Sequence, residues 1–267
     1  MSWEPGQYLK YASERLRPAL DLIARIELAA PRSVVDLGCG AGNVTRVLAE
    51  RWPDAQVIGV DNSEEMLTKA RETNGTLARI EWRFADLAAW AAAAAPASID
   101  LIFSNAALHW LDGHAELFPR LMEIVAPGGV LAVQMPSNFD APSHIALNEV
   151  AASPRWRGQL GARVRPVTVA RLEDYFAWLS PGAKAVDAWS TEYLHALAPS
   201  DTGDHPVIAW VKGTSLTPFL AVLDADAQQA FIDDCSERIA RAYPALPDGR
   251  VLYPFRRVFM VAKRRNR

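Results

Sequence analysis

The most constraining feature of the chain is residues 33–52, SVVDLGCGAGNVTRVLAERW, where three glycines separate an apolar run from a helical pattern. The run SVVDLG is short and nearly all apolar, which is typical of a parallel strand that is covered on both faces. The pattern from Asn43 to Trp52 is helical and stops before Pro53. A strand that enters a helix through a glycine loop is typical of an α/β protein with a nucleotide-like ligand at that loop.

The alternation of strands and helices continues through the first half of the chain. Further strands are predicted at residues 55–61, 79–84, 99–104 and 130–136, with helices from Ser63 through Thr73 and from His114 to Val125. This order predicts a doubly wound α/β sheet. Right-handed crossovers bring all strand-to-helix loops to one edge of such a sheet. We therefore expect four loops to meet at that edge, namely those after Leu37, Val60, Phe84 and Phe103.

The chain is less regular outside this alternating region. An N-terminal helix is predicted at residues 7–26, with apolar positions at Leu16, Leu20, Ile23 and Ile26. Residues 137–165 contain Pro, Gly and Ser, which indicates a long connection. Beyond it we predict a helix at residues 166–179, a strand at 185–197, helices at about 205–216 and 225–242, and a final strand at 250–264.

Composition excludes several functional classes. The 267 residues are half apolar, which is enough for a sizeable core, and the net charge of −3 disfavours nucleic acid or an anionic membrane as a partner. Cys39 and Cys235 form neither a disulfide framework nor a zinc motif, so we expect no metal. The N-terminus lacks the apolar segment of a signal peptide. We therefore expect a cytoplasmic protein, either monomeric or a weak homodimer.

A glycine loop of this kind is compatible with two kinds of ligand, a dinucleotide and S-adenosylmethionine. Gly38 and Gly40 fit the dinucleotide motif G-x-G-x-x-G, but Asn43 stands in place of its third glycine. Asp36 precedes the loop, and its carboxylate would repel a pyrophosphate. The same carboxylate would attract an ammonium or sulfonium group, which favours S-adenosylmethionine over NAD.

Three further residues are candidates for cofactor contacts, each with a structural alternative. Asp61 ends the second strand, where a carboxylate accepts both ribose hydroxyls, although it is also suited to a turn. Asp86 follows the third strand and can accept from an adenine amino group or cap the helix after it. Met66 can cover an adenine face or pack in the core.

Taken in order, VVDLGCGAGNVT, VIGVDNSEEML and IFSNAALHWL resemble the class I S-adenosylmethionine-dependent methyltransferases. Within that class, YLKYASERLRPALDLIARI, ALHWLDGHAELFPRLM, PGGVLAVQMPSNFDAPSH and FRRVFMVAKR resemble the trans-aconitate 2-methyltransferases. The likeness is strongest over residues 3–144 and loose over about 145–200. It implies a seven-stranded Rossmann-like sheet whose last two strands form a hairpin, with helices between strands 6 and 7 that cap the site.

The resemblance also implies a division of the chain and a set of cofactor contacts. It implies an N-terminal helical lid at residues 1–30, a cofactor-binding core at 31–136, and the rest of the sheet with the substrate cap at 137–267. The residues expected at S-adenosylmethionine are Asp36, Gly38, Gly40, Asn43, Asp61, Asn62, Ser63, Met66, Asp86, Leu87, Asn105, Ala106 and His109.

The reaction implied by the resemblance is methyl esterification of one carboxylate of a small tricarboxylic acid such as trans-aconitate. A carboxylate is already ionised at pH 7, so no catalytic acid or base is expected, and His109, Trp110 and Tyr8 are assigned to positioning. Arg256 and Arg257 alternate on the last strand, so at most one faces the pocket. The substrate-binding candidates are Tyr8, Arg15, Arg17, Trp110, Arg163, Arg165 and Arg256.

Other functions stay open at this point. The acceptor is another small molecule if the loosely matching region, residues 145–200, shapes a different pocket. Separately, His109 and Tyr8 are equally suited to simple aromatic packing. A non-catalytic S-adenosylmethionine-binding protein is a further alternative, although its expected sign would be a damaged loop. A nucleic-acid methyltransferase is disfavoured, because MPSN after the fifth strand is not an (N/D)PP(Y/F) motif.

Overall fold

The computed structural model describes residues 12–75, 79–164, 167 and 169–266. The first half of this range alternates between helices and strands as expected. Its elements are α1 (Ala12–Ala24), β1 (Ser33–Leu37), α2 (Asn43–Arg51), β2 (Gln56–Asp61), α3 (Glu64–Asn74), β3 (Ile80–Phe84), α4 (Leu87–Ala93), β4 (Ile99–Asn105), a 3-10 turn (Leu108–Trp110), α5 (His114–Ile124) and β5 (Val125–Pro136).

The second half adds two long strands and several shorter helices. Its elements are α6 (Pro142–Ala151), α7 (Arg157–Leu160), a 3-10 turn (Gly161–Arg163), α8 (Leu172–Leu179), β6 (Ala183–Leu197), α9 (Pro206–Lys212), α10 (Thr217–Leu220), α11 (Ala225–Ala242) and β7 (Val251–Arg264). No helix in the described residues is both long and apolar enough to cross a membrane.

The strands form one seven-stranded sheet in the order β3-β2-β1-β4-β5-β7-β6. Pairing is parallel from β3 through β5, and β7 runs antiparallel to β5. The predicted fold class, a mostly parallel seven-stranded α/β sheet, is confirmed. Helices α9, α10 and α11 lie between β6 and β7 in the chain, where the resemblance placed helical additions.

The chain divides into two compact units, and strands β6 and β7 contribute residues to both. One unit comprises the described parts of Arg15–Pro136, Thr168–Thr191 and Arg257–Arg267. Its core packs sheet residues such as Ile102, Val133 and Met260 with Phe118 of α5 and Tyr175 of α8.

The other unit comprises the described parts of Ser137–Val167 and Glu192–Arg256. It has an aromatic-rich core that includes Trp156, Trp210, Phe231 and Tyr253.

The segment predicted as a long connection is largely helical. Residues 137–165 contain α6, α7 and a 3-10 turn. Pro142, which indicated a loop in the sequence, occupies the first turn of α6, where a missing N–H costs no hydrogen bond. Ala146, Leu147 and Val150 are buried on one side of that helix. The apolar spacing was therefore helical, and the proline marked a helix start.

Two predicted helices differ from the structure in extent. The helix expected at residues 166–179 begins at Leu172, where Asp174 accepts the backbone N–H of Arg171 at 3.2 Å. Residues 165, 166 and 168 lie outside the described residues. The N-terminal helix is described from Ala12, and residues 7–11 lie outside the described range. In that helix Leu20 is exposed instead of buried.

Helix α4 is held at both ends, which fixes the position of its first residues at the sheet edge. At its start the Oδ1 atom of Asp86 accepts the N–H of Ala89 at 2.8 Å. At its end Arg120 of α5 donates to the carbonyls of Ala91 at 3.0 Å, of Ala92 at 3.3 Å, and of Ala94. Since these carbonyls have no partner within the helix, the guanidinium acts as a C-terminal cap.

Replacing Arg120 with Met tests this capping. The methionine keeps much of the aliphatic stem but leaves the carbonyls without their donors, so we expect Arg120→Met to lower the free energy of unfolding by about 2 kcal/mol. Arg46→Met is the matched control, because Arg46 makes only an exposed ion pair with Glu50 and its loss should cost under about 0.5 kcal/mol. Urea unfolding measures both. Equal losses in the two variants would contradict the cap.

Candidate functional site

The loop after β1 combines one tightly packed glycine with one open glycine. A Cβ atom on Gly38 would lie 2.1 Å from the Cβ atom of Ala107, so this glycine lets the loops after β1 and β4 touch. Gly40 has a φ of +53°, and among the described residues a Cβ atom there would meet nothing closer than the Cε atom of Met66 at 3.8 Å. The packing interpretation therefore holds at Gly38, whereas at Gly40 no described residue packs tightly against the backbone.

Asp36 lies beneath this loop, within β1, and is only 2% exposed. Its Oδ2 atom accepts the hydroxyl of Thr45 at 2.6 Å. Burial raises the pKa of Asp36 to about 7, the Thr45 hydrogen bond opposes this rise, and the nearby Asp61 charge adds to it. The sequence placed this carboxylate at the mouth of the loop, but the structure places it below. Near neutral pH it is therefore poised between its neutral and its charged form.

Asp61 joins the loops that follow β1 and β2. One carboxylate oxygen accepts the N–H of Gly40 at 2.8 Å, and the other accepts the N–H of Ser63 at 2.9 Å. Burial raises the pKa of Asp61, and the backbone donors of Gly40, Ser63 and Asn62 oppose this rise. The side chain is partly exposed, so its oxygens keep lone pairs for further donors.

The helices after these loops bring more of the predicted residues to the same edge. Ser63 caps α3 by accepting the N–H of Met66 at 3.3 Å. Met66 is half-buried near Gly40, while the neighbouring Leu67 packs in the core. Asn43 is exposed in the first turn of α2, and Asn62 is exposed after β2.

Asp86 and Leu87 start the helix after β3. Asp86 is exposed and caps α4, as its structural alternative predicted. Leu87 packs in the core beneath it. The cofactor contacts of these residues stay predictions.

The segment after β4 carries signs of a functional position. The Oδ1 atom of Asn105 is buried without a hydrogen-bond partner among the described residues. Ala106 has a φ of +53°, a left-handed conformation that is strained for a residue with a Cβ atom. Its N–H donates to the carbonyl of Gln134 at 2.9 Å, which holds the turn in place. Strain that is stabilised by its surroundings is common at ligand sites.

His109 lies in the turn that follows and stays neutral. Burial lowers its pKa to about 3, and the positive charges of Arg257 and His114 add to this effect. Its ring centroid is 4.7 Å from that of Trp110, which is 48% exposed. At physiological pH the imidazole therefore carries no charge and is a weak base.

The predicted substrate residues are only partly accounted for. Tyr8 and Arg165 lie outside the described residues, as does the side chain of Arg15. Arg17 and Arg163 are exposed at the surface.

Arg256 is engaged elsewhere. Its guanidinium pairs with Asp140 and donates to the carbonyl of Ser137 at 3.0 Å. The prediction that Arg256 binds the acceptor stays a prediction, and in this structure the side chain pairs with Asp140. The alternation instead turns Arg257 inward, where it is 4% exposed and acts on His109.

The edge as a whole fits a cationic nucleoside. The partly exposed carboxylate of Asp61 suits hydroxyl donors, and so does the carbonyl oxygen of Asn105, which has no partner among the described residues. Both lie at the same edge as Gly40, which no described residue packs tightly against. Asp36 beneath them suits a positive charge. Gln134, whose side-chain amide has no partner among the described residues, was missed because it lies within an otherwise apolar strand.

Asp36→Asn should separate binding from stability. A buried carboxyl with a raised pKa binds its proton more tightly when folded than when unfolded, so its stabilising effect is lost as pH rises from about 4 through about 7. At pH 8 we expect Asp36→Asn to stabilise the ligand-free protein by about 1 kcal/mol or more, and to weaken S-adenosylmethionine binding about tenfold or more. Thermal unfolding and calorimetry measure the two effects.

The affinity of the wild-type protein for S-adenosylmethionine should also rise with pH between 5.5 and 7.5, because only ionised Asp36 attracts a cation. In Asp36→Asn this affinity should be nearly independent of pH. The exposed Asp54→Asn is the control for loss of a charge. Unchanged affinity in Asp36→Asn would contradict the electrostatic role of Asp36.

Comparison with known proteins identifies the family of the chain. A family model described as a methyltransferase domain matches residues 34–129. Among solved structures, the YcgJ protein of Bacillus subtilis aligns with a TM-score of 0.58 at 16% identity, covering 93% of this chain and 99% of its own. Phosphoethanolamine N-methyltransferase 2 of Haemonchus contortus, solved with S-adenosyl-L-methionine, aligns with a TM-score of 0.53 at 18% identity, covering 93% of this chain and 53% of its own.

Curated relatives are much more similar in sequence. The trans-aconitate 2-methyltransferase of Methylobacterium nodulans is 47% identical, with 98% of each chain covered. That of Streptomyces coelicolor is 45% identical, with 98% of this chain and 87% of the relative covered. The chain therefore belongs to the trans-aconitate 2-methyltransferase family and is an S-adenosylmethionine-dependent methyltransferase.

Proposed function

We propose that the enzyme methylates one carboxylate of a small tricarboxylic acid, with trans-aconitate as the first candidate, to give the monomethyl ester. The proposal is supported by the names of relatives that are 43–47% identical over nearly the whole chain. The observation that carries it is the neutral His109. A useful general base has a pKa near the working pH, whereas the pKa of His109 is about 3.

Asp36 has a pKa of about 7, but it is buried beneath the loop with its carboxylate on the hydroxyl of Thr45, so the acceptor in this proposal does not reach it. A nucleophile that meets no base has to arrive already ionised. A carboxylic acid meets this condition, because its pKa near 4 leaves it charged at pH 7. An alcohol or an ammonium group would first have to lose a proton to the protein. The chemistry at this edge therefore favours a carboxylate acceptor.

When bound, S-adenosylmethionine supplies a methyl group activated by a positively charged sulfur. In the proposal Asp61 holds the ribose, Asp36 favours the positive charge, and Asn105 accepts a hydrogen bond from the cofactor. Met66 and Asp86 are assigned to the adenine.

His109 and Trp110 exclude water and orient the acceptor. Orientation of this kind is worth about 7–11 kcal/mol of the barrier. A lid formed by residues 1–30 stays a prediction.

Turnover of a panel of acids tests the acceptor. We expect trans-aconitate to be methylated with a higher kcat/KM than cis-aconitate, isocitrate or citrate, and mass spectrometry should find one added methyl group that alkali removes. Calorimetry with S-adenosylhomocysteine checks that the protein used is competent to bind cofactor. Competent protein that methylates none of these acids would contradict the substrate class, and would favour another small-molecule acceptor or a non-catalytic binding protein.

The pH profile tests the absence of a base. At saturating concentrations of both substrates, kcat should stay constant from pH 6.5 to 8.5, because the acceptor is ionised and His109 is neutral throughout. His109→Gln should lower kcat through poorer positioning while keeping the profile flat. A tenfold rise of kcat per pH unit in the wild type, abolished in His109→Gln, would make His109 a general base and contradict this mechanism.

A further inference from the structure

Three polar residues lie side by side on one face of the sheet. Asn105 of β4 pairs with Gln134 of β5, and β7 pairs with β5 through Phe259 opposite Gln134 and Arg257 opposite Pro136. Residues in register share a face, and so do residues two apart along a strand. Asn105, Gln134 and Arg257 therefore form a row, called here the polar row, at the carboxyl ends of β4 and β5.

The polar row is buried although its members are polar. Gln134 is 0% exposed and Arg257 is 4% exposed. Neither amide atom of Gln134, nor the Oδ1 atom of Asn105, has a hydrogen-bond partner among the described residues. An unsatisfied buried amide costs stability and is rare in native proteins. Such a group is explained if a ligand completes its hydrogen bonds.

The charge of the polar row identifies the kind of ligand. A guanidinium is the side chain best suited to hold a carboxylate, through two parallel hydrogen bonds. The amide nitrogen of Gln134 adds a further donor on the same face. Arg257 is close enough to His109 for its charge to lower the pKa of that imidazole. The polar row thus extends from the turn where methyl transfer is proposed.

The place of Arg257 separates it from the cofactor loops. The loops that carry Gly40 and Asp61 follow β1 and β2, whereas Arg257 lies on β7, three strands beyond β1. At about 4.8 Å between strands, Arg257 is about 14 Å from β1. An anion at Arg257 would therefore lie away from the loops that carry Gly40 and Asp61.

We propose that Arg257 and Gln134 bind a carboxylate of the acceptor that is not methylated, and so select polycarboxylates over acids with a single carboxylate. This proposal rests on the proposed function, which supplies the acceptor class. The sequence analysis gave the role of binding an acceptor carboxylate to Arg256, and this proposal gives it to the neighbouring Arg257.

Kinetic and binding measurements on three variants test the proposal. We expect Arg257→Met to raise the KM for trans-aconitate about 100-fold and Gln134→Leu about tenfold, while the Kd for S-adenosylhomocysteine changes less than threefold. Lys263→Met is the control, because Lys263 lies on the same face of β7 at its other end and should leave both values unchanged. The preference of the wild type for tricarboxylates over monocarboxylates should disappear in Arg257→Met.

Gln134→Leu gives a readout that a structural role would not produce. Because it removes an unsatisfied buried amide, it should raise the Tm of the ligand-free protein while weakening the binding of trans-aconitate to the S-adenosylhomocysteine complex. If Arg257→Met does not fold, this opposite pair of effects still decides the proposal. A lower Tm together with unchanged acceptor binding would overturn it.

The outcomes distinguish the two proposals. Binding of trans-aconitate that depends on Arg257, without turnover, would contradict the proposed function and support the carboxylate subsite. Turnover with a KM unaffected by Arg257→Met would overturn the subsite alone. A weakened affinity for S-adenosylhomocysteine equal to the loss for trans-aconitate would assign the polar row to the carboxylate of the cofactor and overturn the proposal. Absence of any tricarboxylate binding would contradict both.

Discussion

The carboxylate of Asp61 is the interaction on which the geometry of the site depends. It accepts the N–H of Gly40 in the loop after β1 and the N–H of Ser63 in the loop after β2. One carboxylate therefore links two loops that are separate in the sequence. The link holds Gly40 in a left-handed conformation. Without this acceptor two partly buried N–H groups would lose the carboxylate that holds them in place. Asp61, which the sequence analysis assigned to the ribose, thus also has a structural role as a link between the two loops.

The elements that the sequence predicted well are those whose signals are local. Ser63 predicts the start of α3 because its hydroxyl can accept the N–H of the residue three positions on, Met66. The apolar run before Gly38 predicts a strand covered on both faces, because only such a strand buries all of its side chains. The prediction of a long connection around Pro142 was wrong because proline is compatible both with a loop and with the start of a helix. The burial of Leu147 and Val150 on one side of α6 shows that this proline starts a helix.

The site was harder to predict because its key choices depend on pairing. The alternation of Arg256 and Arg257 shows that one of them faces inward, but which one depends on the register of β7 against β5. A slip of one residue would exchange them. Gln134 has no local signal at all, since one polar residue in VLAVQMP is as compatible with an edge as with a buried row. Its place in the polar row appears only when β4 and β7 are placed on either side of β5.

The buried charges of the sheet follow from this register. Asp36 pairs with Phe103, and Phe103 with Ala132, so Asp36 shares a face with the polar row. One face therefore carries an acid at β1 and a guanidinium at β7, with four strands from end to end. In a medium of low dielectric each of these groups strongly favours a partner of opposite charge. A cation is favoured on the side of Asp36 and an anion on the side of Arg257, which in the proposed function sets the direction in which two oppositely charged substrates would meet. The neutral His109 in the turn after β4 leaves this direction undisturbed, because a charged imidazole there would repel the cation and would compete with Arg257 for the anion.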